Sequence, residues 1–173
     1  MIQSGKFSPC LRTDDGWTAL HWAVKRSHPD VVAFLLTLPN TESLLACKGG
    51  LEGCTVLHFA VKYYFSSMVE AVLKAKADVT AQDRLGRISL YLTVWIVQED
   101  AVEQLLSSGA DPNIRSVYGT TLHCATPKKT LTAMSFYSTW STAIELESFH
   151  GVQLKDLVTK ENKWCEFVEG ETA

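Results

Sequence analysis

The sequence predicts an all-α solenoid of stacked helix-turn-helix units with short β-hairpin fingers. Three observations lead there. The hexapeptide Thr18-Ala19-Leu20-His21-Trp22-Ala23 returns as Thr55-Val56-Leu57-His58-Phe59-Ala60. Two worn copies follow, Ile88-Ser89-Leu90-Tyr91-Leu92-Thr93 and Thr121-Leu122-His123-Cys124-Ala125. The leucines at 20, 57, 90 and 122 stand 37, 33 and 32 residues apart. Self-similarity at such a period marks a chain whose units bury their apolar faces only against their neighbours.

The first unit opens on Gly16-Trp17-Thr18, where Thr18 supplies a helix N-cap, and continues through Pro29-Asp30-Val31-Val32 to Phe34-Leu35-Leu36. The second has Gly53-Cys54-Thr55 in the same place, then Met68 to Leu73 and Ala77-Asp78-Val79. Val31, Leu35 and Leu36, like Val69, Val72 and Leu73, recur at helical spacing and are expected in the core. Between these two units, Thr37 to Gly50 runs four residues beyond the period and predicts a longer finger. The third unit keeps Gly86 and Leu90, then Ala101 to Leu106 and Gly109-Ala110-Asp111-Pro112-Asn113. Its run Val94-Trp95-Ile96-Val97 is too apolar for a solvent-facing turn and is expected to pack under a neighbour. Gly109 is placed to end a helix in the left-handed conformation; Lys76 occupies the equivalent place in unit two, a departure that should cost stability. In the fourth unit Pro127 should stop the first helix. Ala133, Phe136, Tyr137, Trp140 and Ile144 then follow helical spacing and predict a terminal helix that caps the stack.

These residues resemble the ankyrin repeat, whose pattern is Gly-x-Thr-Pro-Leu-His-x-Ala, a second apolar helix, and Gly-Ala-Asp-x-Asn leading into a hairpin. The resemblance covers about residues 13–126. It implies a lead-in at 1–12, repeats at about 13–49, 50–82, 83–115 and 116–149 with the last degenerate and capping, and an acidic tail or partial repeat at 150–173. It also implies that His21, His58 and His123 bond backbone between adjacent units rather than bind metal or act as bases.

Bulk properties fit a single module. The net charge of −3 gives no general attraction to nucleic acid or anionic membrane. The apolar fraction of 46% argues against general disorder. No apolar run approaches the roughly 18 residues of a spanning helix, and Met1 to Arg12 has no signal-like apolar core, so a cytoplasmic or nuclear address is expected. Cys10, Cys47, Cys54, Cys124 and Cys165 form no zinc-type pair and read as reduced thiols. Gly49-Gly50 lacks the residues that complete a phosphate loop, and no nucleophile elbow is present. Neither catalysis, a metal nor a cofactor is expected.

The ankyrin register implies which residues face a partner: fingertips and the exposed side of each first helix. These are Asp14, Asp15, Trp17, Lys25 and Arg26; Leu51, Glu52, Cys54, Lys62 and Tyr63; Arg84, Leu85, Arg87, Trp95 and Ile96; and Arg115, Val117 and Tyr118. The set holds six basic and three acidic side chains within an acidic protein. The partner-binding candidates are therefore Trp17, Lys25, Arg26, Lys62, Tyr63, Arg84, Arg87, Trp95, Arg115 and Tyr118, since arginines and large aromatics dominate interface energetics. The expected partner is a protein with an acidic segment and apolar anchors; nucleic acid and membrane insertion are not expected. The layout also resembles the inhibitors of NF-kappaB, which hold a transcription factor in their repeats. It would equally suit a substrate adaptor or an architectural fragment of a larger protein.

Overall fold

The computed structural model describes residues 11–63, 65–96, 98–121 and 124. His123, the expected terminal helix and the tail lie outside the described residues. Within them the chain runs α1 (Ala19–Lys25), α2 (Pro29–Leu36), α3 (Thr41–Ala46), α4 (Val56–Lys62), α5 (Ser66–Lys74), α6 (Ser89–Ile96), α7 (Glu99–Ser107), β1 (Arg115–Ser116) and β2 (Gly119–Thr120). The helices form two layers. First helices α1, α4 and α6 stack in one row, second helices α2, α5 and α7 in another, and each first helix packs on its own second helix.

Each first helix starts with a reciprocal cap in units one and two. Thr18 is the N-cap of α1, and its hydroxyl lies 3.4 Å from the His21 N–H that it accepts. In return, the Thr18 N–H donates to His21 Nδ1 at 3.2 Å. Thr55 repeats the return bond, donating its N–H to His58 Nδ1 at 3.2 Å. Because a backbone N–H only donates, Nδ1 is the acceptor in both rings and the ring proton sits on Nε2. His58 uses that proton to reach the Arg87 carbonyl at 2.9 Å, one unit further on. His21 Nε2 has the Cys54 and Cys47 carbonyls near it but makes no hydrogen bond.

The leucines of the motif, Leu20, Leu57 and Leu90, are at most 1% exposed, and Ala23 and Ala60 lie beside them in the shared core. Val69 and Val72 join that core with Val32 and Leu35. Val31 does not: it is 46% exposed, whereas Met68, one period on, is buried. The reason is position. Helix α5 has α2 on one side and α7 on the other, while among the described residues no helix stacks on the outer side of α2.

The insertion between units one and two is not a longer finger. Thr41–Ala46 winds into α3, preceded by Asn40 at φ +72°. Leu44 and Leu45 are buried, and the Thr41 hydroxyl donates back to the Leu36 carbonyl at 3.2 Å. Burial of two adjacent leucines on a short helix outweighs extension into solvent. The finger itself stays short, closed by the Gly49–Cys54 bridge. The apolar run of unit three divides. Val94 is buried, Trp95 packs half-buried against the core, and Ile96 reaches the surface. At the second-helix ends, Lys76 (φ +63°) and Gly109 (φ +87°) are both left-handed, with matching bonds: Lys76 N–H to the Leu73 carbonyl and Gly109 N–H to the Leu106 carbonyl, each 2.9 Å.

Candidate protein-binding face

The fingers are joined to one another through their backbones. Gly50 N–H donates to the Asp15 carbonyl at 2.9 Å, Arg84 N–H to the Glu52 carbonyl at 2.8 Å, and Val117 N–H to the Leu85 carbonyl at 2.9 Å. This ladder holds four tips in one row, with Leu51 84% and Val117 50% exposed on it. Asp14, Asp15 and Arg84 are exposed on the same tips.

Alongside the fingers, an aromatic strip crosses units one and two. Trp17 lies 4.5 Å from Phe59 and 5.3 Å from Trp22 by ring centroids, and Phe59 stacks on Tyr63 at 6.1 Å. Lys25 Nζ sits 4.7 Å from the Trp17 ring and 5.0 Å from the Trp22 ring, and the Arg26 guanidinium is 5.9 Å from Trp22. Trp22, 38% exposed, is absent from the residues that the register selects because it lies inside the repeated hexapeptide. Its signal in the sequence is the size drop at that position, from Trp22 and Phe59 to Leu92 and Cys124.

The six candidate cations divide by what they already hold. Lys62 Nζ bonds Glu52 at 3.2 Å, and Arg87 Nη2 bonds the same carboxylate at 3.2 Å and Asp83 at 2.7 Å. The Asp83 side chain is fully buried and also accepts the Leu85 and Arg87 N–H groups, each at 2.9 Å. Arg84 Nη1 donates to the Leu51 carbonyl at 2.7 Å. Arg115 is exposed on β1, and Tyr118 and Trp95 are half-buried. Lys25 and Arg26, in contrast, meet no carboxylate among the described residues; their contacts are the tryptophan rings.

Glu52, Cys54 and Asp83 bring their donor atoms within 4.8 Å of one another. The cation that serves the two carboxylates is the Arg87 guanidinium. Partial burial of Glu52 opposes its ionisation, but the Lys62 bond and the Lys62 and Arg87 charges override this and hold its carboxyl below the usual range. Burial, with the Glu52 and Asp83 charges, pushes the Cys54 thiol up to about 12. A metal there would have to displace an arginine and deprotonate a thiol that resists it. Cys47 and Cys54 are buried, free thiols, and Cys124 is buried as well.

Comparison with known proteins agrees with the geometry. Residues 2–83 match the family described as ankyrin repeats (3 copies). The ANK repeat-containing protein nipk-1 of Caenorhabditis elegans is 30% identical over 167 residues, covering 83% of this chain and 26% of that protein. Ankyrin repeat domain-containing protein 40 of Homo sapiens is 39% identical over 49 residues, covering 28% of this chain and 13% of that protein. The chain therefore spans about a quarter or less of the length of these relatives. Ankyrin repeats are generally protein–protein interaction modules and typically non-enzymatic. By the family match over residues 2–83, its relatives and its stacked helix pairs, the chain carries ankyrin repeats.

Proposed function

We propose that this chain is a non-catalytic recognition module that binds a partner protein along its fingertips and the adjoining face of α1, α4 and α6. The observation that carries this reading is the backbone ladder through Asp15, Gly50, Glu52, Arg84, Leu85 and Val117. It fixes a row of exposed side chains before any partner arrives, so little ordering entropy opposes association. Apolar Leu51 and Val117 stand out on this row and have no fold role that explains their exposure. Regulation of a transcription factor or adaptor service within a longer protein would be uses of the same face, and the address suited to either is cytoplasmic or nuclear.

Cross-linking mass spectrometry on a captured partner tests the face directly. Cross-links are expected on the fingers and first helices, and Leu51→Glu with Val117→Glu should abolish capture while leaving the circular dichroism spectrum unchanged. Cross-links confined to α2, α5 and α7 would refute the assignment.

A further inference from the structure

We propose that binding is anchored at one end of this face, by a platform built from Trp22, Trp17, Lys25 and Arg26. Its occupant is an acidic protein segment carrying an apolar side chain. The proposal rests on the recognition role above and gives it a location and a partner chemistry.

Charge points to this end of the stack. Lys62 and Arg87 share Glu52, and Arg87 also holds the buried Asp83, so these cations are bound into the fold. Arg84 spends a guanidinium N–H on the Leu51 carbonyl. Lys25 and Arg26 lie against tryptophan rings, and no carboxylate among the described residues neutralises them. A cation over a ring keeps its N–H donors for a carboxylate while its stem covers the apolar surface. Trp22 supplies the apolar ground beside them, with more than a third of its surface still open. Units two and three offer nothing comparable at that position: Phe59 and Leu92 are each 5% exposed.

The same geometry favours an acidic peptide over a nucleic-acid strand. Single strands bind by stacking bases on open aromatic faces. The Trp17 ring already has Phe59, Trp22 and Lys25 around it, so this platform offers the open part of Trp22 for one apolar side chain and no run of open faces for successive bases. Exposed Asp14 and Asp15 on the first finger would repel a continuous phosphate backbone, whereas a peptide can keep its carboxylates to the helix side.

The test is an NMR titration that follows the indole N–H signals of Trp17 and Trp22. The probes are a peptide with one tryptophan flanked by glutamates, its glutamine and lysine counterparts, its tryptophan-to-serine counterpart, and oligothymidylate. The glutamate peptide should move the Trp22 signal and bind about tenfold more tightly than the glutamine or serine versions. Lys25→Glu with Arg26→Glu should transfer the preference to the lysine peptide, and Trp22→Ser should weaken binding about as much as loss of the peptide's tryptophan. If the charge reversal disturbs the fold, the milder Arg26→Gln should still weaken the glutamate peptide. Equal binding of the glutamate and glutamine peptides, binding of oligothymidylate as strong as that of the acidic peptide, or no binding by any probe overturns the proposal. Loss of the acidic peptide only on Leu51→Glu and Val117→Glu would leave the recognition face standing and remove the platform. Retention through all these variants would remove both.

Discussion

His58 donates from Nε2 to the Arg87 carbonyl, 2.9 Å away, and so ties the second repeat to the finger of the third. His21 occupies the same place in the first repeat without making that bond. His58→Ala leaves a cavity and a carbonyl without its donor, and should destabilise the fold by about 3 kcal/mol. His21→Ala removes the same volume and cap but no inter-unit bond, and should cost about 1 kcal/mol less. Urea unfolding at neutral pH measures both; equal losses would show that the inter-unit bond contributes nothing.

Acid should weaken the stack before its carboxylates titrate. Burial lowers the His21 imidazole to about 4; the Cys54 carbonyl opposes this and the Arg12 charge adds to it. Burial likewise lowers His58, against the pull of the Arg87 carbonyl. Unfolded, both rings take up a proton near about 6.5. Between that value and their lowered folded values the unfolded chain binds more protons, so stability falls as pH falls, by up to about 1.4 kcal/mol per pH unit for each ring. Above about 6.5 these two groups contribute no slope. The Glu52 carboxyl, also lowered, adds its loss only below the ordinary carboxylate range. Denaturation midpoints across mildly acidic pH check this, and His21→Gln should remove a large part of the slope.

Lys76 holds a left-handed backbone at the position where the third unit has Gly109. The side chain is exposed, and the neighbouring hydrogen bonds come from the backbone. Lys76→Gly should therefore raise stability by about 0.5–1 kcal/mol, and Gly109→Ala should lower it by about 1 kcal/mol. Lys76→Ala should give no gain, because alanine carries the same penalty. Thermal melts of the three variants separate backbone strain from a general effect of removing the lysine.

Arg87 and Arg84 stand three residues apart and should answer unequally to substitution. Arg87→Ala strands the fully buried Asp83 carboxylate, leaving it two backbone donors, and should cost about 3 kcal/mol. Arg84→Ala removes one exposed bond to the Leu51 carbonyl and should change stability by less than about 1 kcal/mol. The comparison is made by urea unfolding, and similar costs at both positions would contradict the division of the cations into structural and surface groups.

Most of the scaffold is legible in the sequence because its letters act locally. Thr18 and His21, or Thr55 and His58, are three residues apart on one helix turn, so spacing alone reveals the cap. The insertion reads as a longer finger because a length excess carries no direction; burial of Leu44 and Leu45 decides it the other way. The face is legible as a set of positions and not as a set of free charges. Glu52 takes Lys62 from ten residues away and Arg87 from thirty-five, separations that no local pattern exposes. One trace is present, an aspartate four residues before Arg87 across a tight turn. Trp22 is hidden for the opposite reason: a residue inside a repeated motif reads as scaffold, and here the first copy of the motif also meets solvent.

The bonds that align the fingers run between backbone atoms at Asp15, Gly50, Glu52, Arg84, Leu85 and Val117. Side chains on the tips can therefore be exchanged without removing a rung. Leu51, Arg84 and Val117 behave as removable type in a fixed frame, so substitutions there can rewrite what the row displays while the stack beneath is kept unaltered. The same property makes the tips suitable for randomisation in a binding library, with the histidine caps and the buried Asp83 left in place.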